Sequence, residues 1–291
     1  MFSCQTDYKK PTEVMDKERF WALARAPRTS DTVRQARAAL AEGNTRGYNI
    51  RKMSLPLMVF VGTFEEWEKT LEDKKTQKTW TEKGMWRSQA HVHLNGLVVA
   101  DFDHLEGDVR KLWEEASARL SEDDRKRIVL VYVTPSGHGL KVVFTADPAV
   151  GNLIDNVVDF AARLGLQADE SGKDASRGAF MTAEDDILFI DESRLFDYHD
   201  AAFAEKYEQA YREGKSQGTK GIQTPPPCGH PLSRGGTYRT LAMLETYRNK
   251  GPIPMQLVVV MAVTKAVRAA TMTFTTISMM CFFLSFIGLR F

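Results

Sequence analysis

Cysteine is scarce in this sequence: only Cys4, Cys228 and Cys281 occur among its 291 residues. Three widely separated cysteines are too few for a disulfide framework or for a zinc site built from four cysteine ligands. The N-terminal residues also lack the apolar segment that a signal peptide requires. We therefore expect a reducing, cytoplasmic setting for this protein.

An excess of charge of either sign is missing too. The 39 Lys and Arg residues nearly balance the 38 Asp and Glu residues, which gives a formal net charge of +1. Because no global basic field attracts a polyanion, any surface for a nucleic acid has to be a local basic patch.

Long apolar runs are absent until the end of the chain. From Ala269 to Leu289 no residue is charged, and a segment of about 20 such residues can cross a bilayer. The segment is rich in Thr, Ser and Met rather than Leu and Ile, which favours a buried helix of a truncated or altered domain. The membrane span stays open as the less favoured alternative.

Apolar periodicity predicts both helices and strands, without the strict alternation of a doubly wound parallel sheet. One N-terminal helix could be capped by Ser30 or Asp31, and a later helix could begin at Asp147 and Pro148 and run to Leu164. We therefore predict the α+β class. The expected strands are LPLMVFVGTF, GLVVADFD, RIVLVYV, LKVVF, GAFMT and ILFI.

Shifts in composition divide the chain into four sections. We expect a helical N-terminal section over residues 1–55, a mixed core over 56–200, a helix with a Pro- and Gly-rich linker over 201–236, and a helical apolar C-terminal segment over 237–291.

Two aspartates end the apolar strand GLVVADFD. Residues two apart in a strand point the same way, so Asp101 and Asp103 face one spot while Phe102 faces the opposite layer. Repulsion between the carboxylates can be offset by a divalent metal, a shared proton or a solvated turn. The strand end is thus a candidate metal site.

The segment TPSGHGLKVVF places Ser136, His138 and Lys141 in and just after a glycine-rich turn between two strands. Glycines let the backbone approach a ligand closely, and the turn amides with an imidazole and an ammonium suit a triphosphate. An ordinary tight turn is the alternative.

The segment QADESGKDASRGAF contains Asp169, Asp174 and Arg177 shortly before a strand. Either aspartate could supply a third acid, and the planar guanidinium of Arg177 suits a phosphate. A solvated loop is the alternative.

A fourth segment, WEKTLEDKKTQKTWTEKGMWR, mixes tryptophans with basic residues, which suits a nucleic-acid strand through charge neutralisation and base stacking. A solvated helix with its tryptophans turned into the core is the alternative. The candidate nucleic-acid contacts are Lys74, Lys75, Lys78, Trp80, Lys83 and Arg87.

The order of these motifs resembles that of the archaeo-eukaryotic primase, or primase-polymerase, superfamily over about residues 55–195. The closest likeness is to the VirE N-terminal or BT4734-like primase domain of bacterial mobile elements. The motifs that carry the resemblance are GLVVADFDHL, TPSGHGLKVVF and ADESGKDASRGAFMT.

The resemblance implies a core with an RRM-like mixed sheet and a second α/β unit. It implies that Asp101, Asp103 and Asp169 are catalytic and hold two Mg²⁺ or Mn²⁺ ions, with Asp174 as the alternative third acid. It assigns nucleotide contacts to Ser136, His138, Lys141 and Arg177.

The resulting hypothesis is a metal-dependent nucleotidyltransferase that makes or extends strands on a single-stranded DNA template in the replication of a mobile element. Its substrates would be nucleoside triphosphates, and a separate helicase is a possible partner. Two alternatives stay open: a non-catalytic single-strand-binding replication module, and a two-metal nuclease or phosphohydrolase.

Several other polar residues are not assigned to the site. His91 and His93 are expected at a strand entry and His104 in a turn, and the pair Cys228 and His230 lacks two further zinc ligands. Glu184, Asp185 and Asp186 are expected to form a solvated turn between two strands.

Overall fold

The computed structural model describes residues 1–73, 76–169, 174–216 and 218. The chain divides into two compact units, residues 1–225 and 226–291, and the second lies outside the described residues. The predicted apolar C-terminal segment and most of the predicted linker therefore lie outside them as well. Within the described ranges, no helix combines the length and the apolar character needed to cross a membrane.

The helices are α1 (Lys17–Ala24), α2 (Pro27–Ala41), α3 (Thr45–Lys52), α4 (Val109–Ser117), α5 (Glu122–Arg127), α6 (Leu153–Leu164), α7 (Glu192–Asp197) and α8 (Ala201–Arg212). The strands are β1 (Phe2–Gln5), β2 (Glu13–Met15), β3 (Leu57–Val59), β4 (Gly62–Phe64), β5 (Trp67–Glu72), β6 (Thr79–Gly84), β7 (Val92–Leu94), β8 (Leu97–Phe102), β9 (Ile128–Val133), β10 (Leu140–Thr145), β11 (Ala179–Phe180) and β12 (Ile187–Ile190).

Two four-stranded antiparallel sheets form the centre of the first unit. The first sheet has the strand order β11-β3-β1-β2, and the second has the order β12-β9-β10-β8. The pairs β4–β7 and β5–β6 form two separate antiparallel ribbons. Mixed helices and antiparallel strands are consistent with the predicted α+β class.

The second sheet is covered on both faces. On β8, Val98, Ala100 and Phe102 pack in one core with α4 and α6, whereas Leu97 packs in the other core with Phe2 of the first sheet. A strand that is buried on both faces reads as a continuous apolar run rather than an alternating one. This explains the sequence of β9, in which all six residues are buried.

The predicted helical N-terminal section contains its two expected helices, α1 and α2, but also two strands that were not predicted. Strands β1 and β2 pair with each other, and β1 also pairs with β3, so this section builds half of the first sheet. Helix α2 begins at Pro27 after Ala26, and not after Ser30 or Asp31, because proline at the first helical position is already fixed in a helical φ. A third helix, α3, follows and was not predicted.

The predicted start of α6 at Asp147 and Pro148 is also wrong. Asp147 instead accepts a hydrogen bond from the Ala149 amide in a turn, at 2.9 Å. The helix begins at Leu153, where Asn152 and Asp155 bond each other's backbone amides in a capping box. Two satisfied amide donors favour this start over a single aspartate cap.

Candidate active site

Asp101 and Lys141 lie directly opposite each other on the adjacent strands β8 and β10. The ammonium Nζ of Lys141 contacts Oδ2 of Asp101, and both side chains are largely buried. Burial lowers the pKa of Lys141 to about 7; nearby Arg177 and Lys52 act in the same direction, and the carboxylate of Asp169 opposes them. This lysine therefore neutralises Asp101 but can give up its proton readily.

A backbone hydrogen bond holds Asp169 next to Asp101. Its amide donates a hydrogen bond to the carbonyl oxygen of Asp101 at 2.8 Å, so the segment after α6 lies along the end of β8. One carboxylate oxygen each from Asp101, Asp103 and Asp169 lies within 4.8 Å of the others. Asp174, the alternative third acid, instead accepts hydrogen bonds from the amide and hydroxyl of Ser176 at 2.7 and 2.8 Å.

The donor set of these three aspartates fits a hard divalent cation. Mg²⁺ and Mn²⁺ prefer carboxylate oxygens, and a two-metal site uses carboxylates from separate segments. Oδ1 of Asp101 is buried and has no hydrogen-bond partner among the described residues. A buried carboxylate oxygen without a partner is costly, and a bound cation would remove that cost.

Hydrogen bonds within the turn between β9 and β10 hold its shape, and another bond joins the turn to the segment that follows β8. The Gly137 amide donates to the Thr134 carbonyl at 2.8 Å, and φ of +78° at Gly137 lies in the left-handed region. The hydroxyl of Ser136 accepts a bond from the His138 amide at 3.1 Å. The Leu105 amide donates to the His138 carbonyl at 2.8 Å, which fixes the turn against the aspartates.

Gly139 allows the turn to approach the aspartates. A Cβ atom at this position would lie 2.7 Å from the Phe102 carbonyl oxygen and 3.0 Å from Oδ1 of Asp103. Any larger residue would displace one of them.

Arg177 lies beside the third aspartate, with its Nη2 atom 3.4 Å from Oδ2 of Asp169. Residues between β6 and β7 form hydrogen bonds with the loop that contains Arg177. Arg87 donates through Nη1 to the Ser176 carbonyl at 3.2 Å, and the Ala175 amide donates to Oε1 of Gln89 at 3.1 Å. Arg87, predicted as a nucleic-acid contact, thus supports the Arg177 loop.

The basic, tryptophan-rich segment forms the ribbon β5–β6, so the alternative of a solvated helix is wrong. Lys78, Trp80 and Lys83 are exposed, and Lys83 lies 3.3 Å from a carboxylate oxygen of Glu66. Lys74 and Lys75 lie outside the described residues. Of the other tryptophans, Trp86 is fully buried and Trp67 stacks on His91 with ring centres 4.6 Å apart.

In the turn before β12, Glu184 and Asp185 are exposed as predicted, but Asp186 is buried and not solvated. Oδ2 of Asp186 accepts bonds from Nη2 of Arg37 at 2.7 Å and from the hydroxyl of Thr182 at 3.0 Å. Oδ1 accepts a bond from Nη2 of Arg110 at 3.1 Å. These arginines neutralise the aspartate, which local sequence could not indicate because they lie far away along the chain.

Arg37 and Arg110 border an open cleft of about 480 Å³. Ser136, Gly137 and His138 also line this cleft, and Gly139 of the same turn lies beside Asp103. No motif in the sequence pointed to either arginine.

Two of the other histidines contact carboxylates, and a third lies in a turn. Nδ1 of His91 lies 2.9 Å from Oε1 of Glu65, and Nδ1 of His93 lies 3.3 Å from Oε1 of Glu208. His104 has φ of +59° in the turn after β8. Cys228 and His230 lie outside the described residues.

Comparison with known proteins gives one family match. Residues 81–189 match the family model described as BT4734-like, N-terminal domain. Neither the curated proteins nor the solved structures gave a match. The matched segment contains the three clustered aspartates, the Ser136–His138 turn and Arg177, whereas Arg37 lies before it. The part of the chain that carries most of the candidate site is therefore similar to BT4734-like N-terminal domains.

Proposed function

We propose that this protein is a metal-dependent nucleotidyltransferase of the primase-polymerase type, acting on a single-stranded DNA template in mobile-element replication. The observation that carries the proposal is the convergence of Asp101, Asp103 and Asp169, with one buried oxygen of Asp101 lacking a partner. The resemblance of the motifs to primase-polymerases adds support. The cations beside the acids, largely buried Lys141 and exposed Arg177, favour a polyphosphate substrate over simple hydrolysis.

The chain's own residues take distinct roles in this proposal. Two bound divalent cations would neutralise the triphosphate and activate the primer hydroxyl for in-line displacement. The three aspartates would hold them, while Lys141 and Arg177 would offer positive charge to the phosphates. His138, which lines the neighbouring cleft, would contact the nucleotide.

Primer extension on a single-stranded DNA template, with Mg²⁺ or Mn²⁺ and either deoxy- or ribonucleoside triphosphates, tests this function. Metal-dependent lengthening of the primer is the expected result. Shortening of the template would instead identify a two-metal nuclease, and binding without turnover would identify a replication module. Either of these outcomes would overturn the proposal.

The exposed Trp80 on the β5–β6 ribbon is expected to stack on a base of the template. Stacking of one base is worth about 1–3 kcal/mol, so Trp80→Ala should weaken single-stranded DNA binding by about 5- to 150-fold. Fluorescence anisotropy of a labelled oligonucleotide measures this loss. Phe189→Ala is the matched control, because Phe189 is a similarly exposed aromatic residue on β12. Equal weakening by both variants would refute the role of the ribbon.

A further inference from the structure

The cleft beside the Ser136–His138 turn brings together parts of the chain that are distant in sequence. Arg37 comes from α2, Arg110 from the first turn of α4, and Asp186 from the segment before β12. The cleft volume of about 480 Å³ lies within the range of small-molecule sites. None of the three clustered aspartates lines it, but the Ser136–Gly139 turn lies next to both the cleft and Asp103.

Both acidic residues that line this cleft accept hydrogen bonds from within the protein. Asp186 accepts bonds from both arginines, and the Asp108 carboxylate accepts bonds from the Arg110 and Lys111 amides at 3.0 and 3.4 Å. The two arginines therefore offset the charge of Asp186, whereas Asp108 serves as the N-cap of α4.

Each arginine keeps donors for a ligand. Arg37 and Arg110 use only Nη2 in their hydrogen bonds, and no described residue accepts a bond from Nη1 of either. Nε of Arg37 is a buried donor without a partner, and it lies against Gly137, 3.2 Å from the position of a Cβ there. Two arginines that line one cleft, each with an Nη1 group that no described residue accepts a bond from, match the oxygens of a polyphosphate.

We propose that this cleft binds the polyphosphate end of a nucleoside triphosphate, with Arg37 and Arg110 as phosphate-binding residues and Asp186 as the residue that positions them. The identity of the ligand as a substrate rests on the proposed function. The section before the family match thus completes the nucleotide site.

Calorimetric titration of the full chain with inorganic tripolyphosphate, in EDTA, tests this cleft without the metal centre. We expect Arg37→Gln and Arg110→Gln each to weaken tripolyphosphate binding about tenfold or more, because each removes a charge-assisted donor pair. We expect inorganic phosphate to bind the wild type more weakly than tripolyphosphate does.

Arg34→Gln is the matched control, because Arg34 lies on the same helix and pairs with Asp31 at the surface. The Arg110→Gln variant is expected to fold, because the buried carboxylate of Asp186 still accepts hydrogen bonds from Arg37 and Thr182. Unchanged binding in both cleft variants, or no binding by the wild type, would overturn the proposal. If the wild type bound tripolyphosphate through these arginines but did not extend primers, the proposed phosphate site would stand and only the proposed polymerase function would be wrong.

Discussion

Primer extension by the Asp101→Ala variant is expected to fall at least about 1000-fold, to the background of the assay. Asp101 supplies the most buried oxygen of the cluster, and cations in such a site contribute several kcal/mol of transition-state stabilisation, about 1.4 kcal/mol for each tenfold in rate. The fold should survive, because the substitution relieves repulsion among carboxylates and Lys141 can lose its proton. Gel-based primer extension with Mn²⁺, together with a thermal unfolding curve, measures both effects.

Asp123→Ala provides the matched acidic control for this experiment. Asp123 lies on α5 with its side chain almost fully exposed, so its removal should leave extension unchanged. Extension by Asp101→Ala at the rate of this control would show that the aspartate cluster is not the catalytic centre.

Lys141→Met is expected to destabilise the metal-free protein by about 3 kcal/mol, because it leaves the buried carboxylate of Asp101 without its cation. For a chain of this size that loss lowers the unfolding midpoint in EDTA by about 6–12 °C. Saturating Mn²⁺ should remove much of the difference in unfolding midpoint between the wild type and the variant, since a bound cation replaces the ammonium beside Asp101. Differential scanning calorimetry with and without Mn²⁺ measures the two midpoints.

Lys126→Met separates this effect from a general loss of positive charge. Lys126 forms only exposed pairs with Glu122 and Asp123, so its replacement should leave the midpoint unchanged. The neutralising role of Lys141 would be contradicted if Lys141→Met and Lys126→Met had the same unfolding midpoint in EDTA. It would also be contradicted if Mn²⁺ increased the difference in midpoint between Lys141→Met and the wild type.

Local pattern was sufficient to predict the centre of the candidate site. The period of two along β8 placed Phe102 in the core opposite the face of Asp101, and the structure has this arrangement. The turn Ser136–Gly139 was predicted from its glycines, because their conformational freedom is a property of the residue itself. Neither inference required knowledge of a distant segment.

The cleft was not predictable because it depends on long-range pairing. Arg37 and Asp186 are 149 positions apart, and nothing in either neighbourhood indicates the other. Asp186 looked solvated because acidic runs in turns usually are, and the arginines overcame that tendency. Strand β1 was missed for a related reason, since its four residues gain their burial only from β2, β3 and the second sheet.

The first sheet and α8 set the limits for dissecting this protein. A fragment cut at the family match, 81–189, would lose β1, β2 and β3 and expose the face of the second sheet that holds Leu97 and Tyr132. Ending at residue 200 would remove Phe203 and Tyr211, both fully buried. A recombinant piece intended to stay in solution should therefore extend from the first residue through at least Ser216.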